Sequence, residues 1–315
     1  MGANFVKMSE IVILGNGIAG HEAAVTARHL DKEVQIRIIS KDHYPLYSPC
    51  VLPDYIADSI SRVNVFLQDK DFYAQKGIEY IKSKKVYELS LKYSTIFYED
   101  EYIEYDRLII ATGSNPFIPP IPGSDKIGVY ALKTYEDAQK IKSAQGQTAV
   151  VIGSGPVGIE VAVALQQIGW SVTIVELFDR LLPRIFDHSI SKRVKRKLEE
   201  AGIQVLISEK VQEIVGEDKV ERVLTDQRSI SSDIVVMSIG MKPENELAEK
   251  AGLRIGSTGG IWTDEFMSTS HEGIFACGDC AESTDMLSGK KGLYMLWNNA
   301  KMQGRIAGNN ATAKK

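Results

Sequence analysis

An α/β fold of two similar parallel-sheet domains is predicted by three features of this chain. A strand–glycine–helix pattern occurs twice, each copy runs on into a second short β-branched strand, and 315 residues with 44% hydrophobic content can bury two cores. The first copy, IVILGNGIAGHEAAVTAR at 11–28, pairs with VQIRIIS at 34–40; the second, AVVIGSGPVGIEVAVALQ at 149–166, pairs with SVTIVE at 171–176. Parallel neighbours need a helical crossover, so each copy reads as a βαβ unit of Rossmann type. The copies match at Gly15 and Gly153, Gly17 and Gly155, Gly20 and Gly158, and Glu22 and Glu160. Between them, ATGSNPFIPPIPGSD at 111–125 carries four prolines that neither a helix nor a central strand tolerates. A second boundary falls near SIGMKPENELAEKAG at 238–252, and the remaining C-terminal stretch is too short for a further domain, so it is expected to complete the first. The expected division is 1–115 with 247–315, and 116–246.

Each G-x-G-x-x-G has a physical reading. The first glycine permits a tight turn, the second lets backbone approach a pyrophosphate, and the third lets helix and strand pack closely, while the helix N-terminus offers free amides and partial positive charge. Two such motifs in the right context predict two dinucleotides. An acidic residue about 20 positions beyond the last glycine is expected to hold a ribose diol. Glu176 fills that role in the second unit, favouring NAD(H) over NADP(H), with Arg180 near enough to soften the preference. In the first unit the strand ends at Ser40, with Asp42 two residues on, so a hydroxyl or a shifted carboxylate takes the role.

Composition excludes several other classes. With 37 Lys+Arg against 41 Asp+Glu, the net charge is −4, and the one basic run, SKRVKRKLEE at 191–200, places Val194 and Leu198 at helical spacing, as a solvated helix face does. Nucleic-acid binding is therefore not expected. No stretch approaches 18 consecutive apolar residues, and the opening MGANFVKMSEIVILGNG reads as a strand entering glycines rather than a secretory leader. Three cysteines are too few for a disulfide framework, so a reducing, cytoplasmic setting is expected. Cys277 and Cys280 form one C-x-x-C with no partner pair elsewhere, so no metal site is expected.

Five ordered motifs, GNGIAG, RLIIATGSNP, GSGPVG, VVMSIGMKPE and GIFACGDCAE, together make the chain resemble the FAD-dependent pyridine nucleotide-disulfide oxidoreductase superfamily over nearly its whole length. The resemblance implies a glutathione-reductase-like fold with a discontinuous FAD domain and an NAD(P) domain, FAD in the first glycine unit and the nicotinamide cofactor in the second. It implies that Ala111, Thr112 and Gly113 line the FAD site, that Gly278 and Asp279 meet the flavin chain, and that Trp297 flanks the ring or serves as core. Glu160, read as lying in the first turn of its helix, resembles an acidic residue often found near the nicotinamide; stabilisation by the helix dipole is the alternative.

The electron acceptor divides the superfamily. HYPLYSPCVLPDYI at 43–56 has one cysteine where disulfide reductases have C-x-x-x-x-C, and the second domain lacks the C-x-x-C of thioredoxin reductases. YSPCVLPDYI instead resembles the segment of coenzyme A-disulfide reductases, NADH oxidases and NADH peroxidases, which implies that Cys50 is a redox thiol acting on a disulfide, peroxide or oxygen. Such a thiol, at pKa about 8.5 when free, must be depressed, and a helix starting near Pro53 is one means. HYPLYSPCVLP and the closing LYMLWNNAKMQGRIAGNN also resemble rubredoxin and ferredoxin reductases, which implies delivery to a small electron-transfer protein without Cys50. A nicotinamide-responsive redox sensor is the third reading. Single-cysteine relatives usually continue as a dimer-forming interface domain; the resemblance therefore implies a genuine two-domain form, an interface supplied by a partner subunit, or an interface domain missing from this sequence, and a homodimer or a heteromeric partner subunit is expected.

Overall fold

The computed structural model describes residues 9–313; the start read as leaderless and the last two lysines lie partly or wholly outside that range. Its helices in chain order are α1 Ile18–Leu30, α2 Leu52–Ile56, α3 Phe72–Gln75, α4 Tyr135–Lys142, α5 Pro156–Gln167, α6 His188–Glu200, α7 Glu246–Lys250 and α8 Trp297–Thr312. Among the described residues no helix is long and apolar enough to cross a membrane. The chain separates into two compact units, one of residues up to 47, 66–114 and from 242 onward, the other of 48–65 and 115–241.

In the first unit five parallel strands run in the order Ile274–Ala276, Arg107–Ile110, Glu10–Leu14, Gln35–Ile39, Glu79–Ile81. Both faces are covered, which is why IVIL is a continuous apolar run rather than an alternating one. Ile11 and Ile13 join Ile36, Ile38 and the alanines of α1 and α8 in one core. Val12 and Leu14 face the opposite way and pack with Leu89, Ile96 and Ile103 of an antiparallel three-stranded sheet. α1 and α8 approach so closely that a Cβ on Gly304 would lie 2.2 Å from Ala19 O, and one on Gly308 2.3 Å from Ala23 O. The small residues at i and i+4 on each helix make that approach possible.

The second unit repeats the design strand for strand: Val129–Ala131, Ile234–Met237, Thr148–Ile152, Ser171–Val175 and Gln204–Leu206 form a five-stranded parallel sheet. A three-stranded antiparallel sheet, Val211–Val215, Arg222–Thr225 and Ser229–Ser231, contributes Val211, Ile214 and Val223 to its core. The basic run lies on α6, whose N-cap Asp187 accepts from Ser189 N and Ile190 N and whose lysines and arginine pair with Glu199 and Glu200 three or four residues away.

The unit boundaries differ from those expected. Residues 48–65, expected with the first domain, pack with the second. The Tyr55 ring lies 5.1 Å from that of Tyr135, and Lys142 donates to Tyr55 O at 2.7 Å with its ammonium 4.3 Å from the Tyr55 ring centre. α2 thus gains a cation at its C-terminus, a favourable partner for the helix dipole.

Candidate functional site

In both units the glycine turn sits at the carboxyl end of the central strand, where open parallel sheets bind ligands. Gly15 has φ +108° and its amide donates to Ile39 O; a Cβ there would lie 2.2 Å from Ala111 O. Gly153 repeats this with φ +99° and Ser238 O at 2.3 Å. Gly20 and Gly158 would drive a Cβ to 2.0 and 2.5 Å from the carbonyls of Gly15 and Gly153. These four glycines are thus required by the protein itself.

Gly17 and Gly155 are different. Their φ values, −73° and −68°, suit any residue, and a Cβ on either would meet nothing within 4 Å. No packing inside the protein calls for glycine there, whereas close approach of a phosphate does. Both positions are the N-caps of helices, α1 and α5, that have no side-chain cap and no acidic residue in the first turn. Their leading amides are open to an anion. The residues present therefore fit a pyrophosphate in each unit.

Around the first site, Ser40 is buried and its hydroxyl accepts from Asp42 N at 3.1 Å, so the hydroxyl and the carboxylate belong to one turn. Thr112 Oγ1 donates to Glu244 O at 2.6 Å and Glu244 N donates to Gly113 O, fixing the Ala111–Gly113 stretch, with Gly113 at φ +79°. Ser114 Oγ donates to Asp279 Oδ2 at 2.7 Å, which brings the second and fifth motifs together. Gly278, at φ +78°, donates its amide to Gln303 Oε1 at 2.8 Å, and Gln303 Nε2 reaches Ser283 Oγ at 3.1 Å. Cys277 and Cys280 are fully buried in that turn, the latter's thiol 3.4 Å from Ile110 O, and burial pushes both thiols up, Cys277 well above the ordinary range. Trp297 is half-buried at the start of α8. Gln303 and Ser114 escaped the sequence reading because their partners lie 25 and 165 residues away.

Around the second site Glu176 is buried and already engaged. Its Oε2 accepts from Ser154 N at 2.8 Å and Ser154 Oγ at 2.5 Å, and Oε1 accepts from Phe178 N at 2.9 Å. A carboxylate offers about four acceptor positions, so little remains for a ribose. Glu176 locks the residue between Gly153 and Gly155, a task the sequence reading did not assign it. Arg180 is likewise committed: Nη1 reaches Asp179 Oδ1 at 3.1 Å and His188 Nε2 at 3.2 Å, and Nη2 donates to Pro183 O at 3.2 Å.

Glu160 is the fifth residue of α5, beyond the first turn in which it was expected. Although its side chain reaches the surface, its pKa is raised, by partial burial first and by Asp54 second. Depression by the helix dipole is not what this environment produces. Cys50 lies in a 3₁₀ turn, Pro49–Val51, directly before the five-residue α2, and is exposed. No group of three or more metal-ligating side chains occurs among the described residues.

Comparison with known proteins gives the family and the fold. Residues 9–304 match the family model described as pyridine nucleotide-disulphide oxidoreductase. An NADH oxidase of Methanocaldococcus jannaschii is 35% identical, over 95% of this chain and 69% of its own length. A CoA-dependent NAD(P)H sulfur oxidoreductase of Pyrococcus abyssi is 32% identical, over 96% and 70%. Among solved structures, a NAD-dependent persulfide reductase from A. fulgidus superposes with TM-score 0.92 at 35% identity, over 97% of this chain and 60% of that one. NADH:rubredoxin oxidoreductase from Clostridium acetobutylicum gives 0.82 at 31%, over 98% and 76%. The chain thus spans about two thirds of the length of these two curated relatives and less of the persulfide reductase.

Proposed function

The chain belongs to the pyridine nucleotide-disulphide oxidoreductase family, and on that premise we propose that it is an FAD-dependent NADH oxidoreductase that reduces a small sulfur acceptor, a disulfide or persulfide, through Cys50. One observation carries this: of the three thiols, Cys50 is exposed while Cys277 and Cys280 are buried. Only an exposed thiol can meet a substrate sulfur.

Bound FAD supplies a carrier that takes two electrons from NADH and releases them in pairs or singly. The protein's own residues do the rest. The amides at the starts of α1 and α5 receive the two pyrophosphates, and Gly17 and Gly155 allow their approach. Ser40 and Asp42 hold the ribose in the first unit. In the second, Glu176 fixes the phosphate loop through Ser154, and its carboxylate disfavours the extra phosphate of NADPH. Ser114 orients Asp279 toward the flavin side chain. Glu160, whose carboxyl partial burial and Asp54 make easier to protonate, is placed as the proton-exchanging group near the nicotinamide. Cys50 attacks one sulfur of the acceptor and the other leaves as a thiol; two electrons and a proton then restore Cys50 and free the second thiol. The sum is NADH + H⁺ + R–S–S–R′ → NAD⁺ + R–SH + R′–SH.

The likeness to rubredoxin reductase supports a second reading, single-electron delivery to a small iron protein without Cys50. Anaerobic turnover with NADH separates the two. Cys50→Ser is expected to lose disulfide or persulfide reduction by about 100-fold or more; equal turnover would eliminate the thiol route and leave the iron-protein route. Thiol titration checks the premise: one thiol reacts in the native protein and three after denaturation.

A further inference from the structure

A chain of hydrogen bonds in the first unit, buried at its His21 end, reaches the glycine loop, and the proposed electron path uses none of its members. His21, on the first turn and a half of α1, is 6% exposed, and its Nδ1 lies 2.8 Å from the Tyr73 hydroxyl. Tyr73, 3% exposed, also bonds through that hydroxyl to Asn16 Oδ1. Asn16 stands between Gly15 and Gly17. Its Nδ2 donates to Tyr44 O at 3.4 Å, and Tyr80 OH donates to the same carbonyl at 2.9 Å.

Counting protons fixes the direction of the chain. A carbonyl only accepts, so the Asn16 amide turns its NH₂ toward Tyr44 and its oxygen toward Tyr73. That oxygen takes the single hydroxyl proton of Tyr73. His21 Nδ1 must therefore carry a hydrogen and donate it to Tyr73, with the ring neutral. The Phe72 and Tyr73 rings, centred 5.4 and 5.7 Å from the imidazole, enclose it.

We propose that Tyr73, held by His21, is the positioning residue for the FAD pyrophosphate: by anchoring the Asn16 side chain on the protein side of the loop, it keeps the leading amides of α1 open to phosphate. The inference rests on the assignment of FAD to the first unit. Removing the hydroxyl takes the partner from a half-buried amide oxygen and from a buried imidazole N–H, and the loop relaxes to repair them.

The test is retention of FAD by the purified holoprotein, measured as a dissociation constant by ultrafiltration and flavin fluorescence. Tyr73→Phe and His21→Leu are expected to weaken binding about tenfold. His21→Asn, whose Nδ2 hydrogen replaces that on Nδ1, is expected to stay within about threefold of wild type. If His21→Asn is as weak as His21→Leu, the ring acts by packing alone and the proposal falls. Wild-type retention in Tyr73→Phe also overturns it. Should Tyr73→Phe not fold, Asn16→Ala removes the same bond from the loop side, and undiminished retention there is equally fatal. A wild-type protein that binds no FAD would refute the assignment itself, a result distinct from any of these.

Discussion

Acid should loosen the first unit through His21. Burial, with Lys301 adding to it and Glu22 opposing, lowers its pKa from 6.5 to about 4. The ring is thus neutral when folded and protonated when unfolded throughout the window between those values. The unfolded state binds one more proton there, so stability rises with pH across the window, is fully present above 6.5, and is lost as pH falls toward 4. The limiting slope is about 1.4 kcal/mol per unit, and because the proton difference is incomplete near each pKa, lowering the pH from 6.5 to 4.5 costs about 2 kcal/mol from this group alone. Urea unfolding at both pH values, followed by Trp262 and Trp297 fluorescence with Trp170 of the other unit replaced by Phe, reads the first unit separately. Carboxylates titrate in the same range, so the quantity of interest is the difference between wild type and His21→Asn. The wild type should lose about 2 kcal/mol more than the variant; parallel losses would show that His21 is not held neutral by its surroundings.

Two glycines of the first motif should separate binding from folding. Gly17→Ala is expected to melt close to wild type and to weaken FAD at least about tenfold, because its Cβ meets only the space a phosphate would use. Gly20→Ala, whose Cβ would press on Gly15 O at 2.0 Å, should lower the melting temperature before any ligand is added; calorimetry with and without FAD distinguishes them. In the second unit, Glu176→Ala strands Ser154 N, Ser154 Oγ and Phe178 N. A loss of about 1–3 kcal/mol in stability should therefore accompany any change in the NADH to NADPH ratio of kcat/KM. Unchanged unfolding with an altered ratio would return Glu176 to a purely ribose-binding role.

What the sequence made legible was what short-range covalent spacing encodes. Strand, glycine turn and helix succeed one another within about 20 residues, so both glycine turns are legible directly. The Ala111–Gly113 and Gly278–Asp279 stretches came instead through likeness to a family. The partners that hold these loops are a different matter. Tyr73 is 57 residues from Asn16, and Gln303 is 25 from Gly278, on helices whose contact is visible only after the chain has folded. Glu176 was placed correctly at the end of its strand, but its orientation toward Ser154 depends on buried donors that no spacing rule counts. Glu160 is expected in the first turn of its helix, whereas the helix begins at Pro156 and Glu160 is its fifth residue. The segment around Cys50 packs with the second unit through Tyr55, Tyr135 and Lys142, side chains about 80 residues apart. The closing QGRIAG was noted only as a likeness, yet Gly304 and Gly308 are what allow α8 to lie against α1.

The two matching sheets draw their outermost strand from opposite directions along the chain. In the second unit Val129–Ala131 precedes the central strand, whereas in the first Ile274–Ala276 comes some 260 residues after it. During synthesis, every residue of the second unit has been made once position 241 is reached. The first unit is then still without a fifth strand and without α8, and the alanine face of α1 has nothing to cover it. Domains generally fold in the order in which they emerge. A ribosome-bound chain arrested near residue 260 should accordingly protect the second glycine unit from protease while the first, although translated earlier, remains open to it.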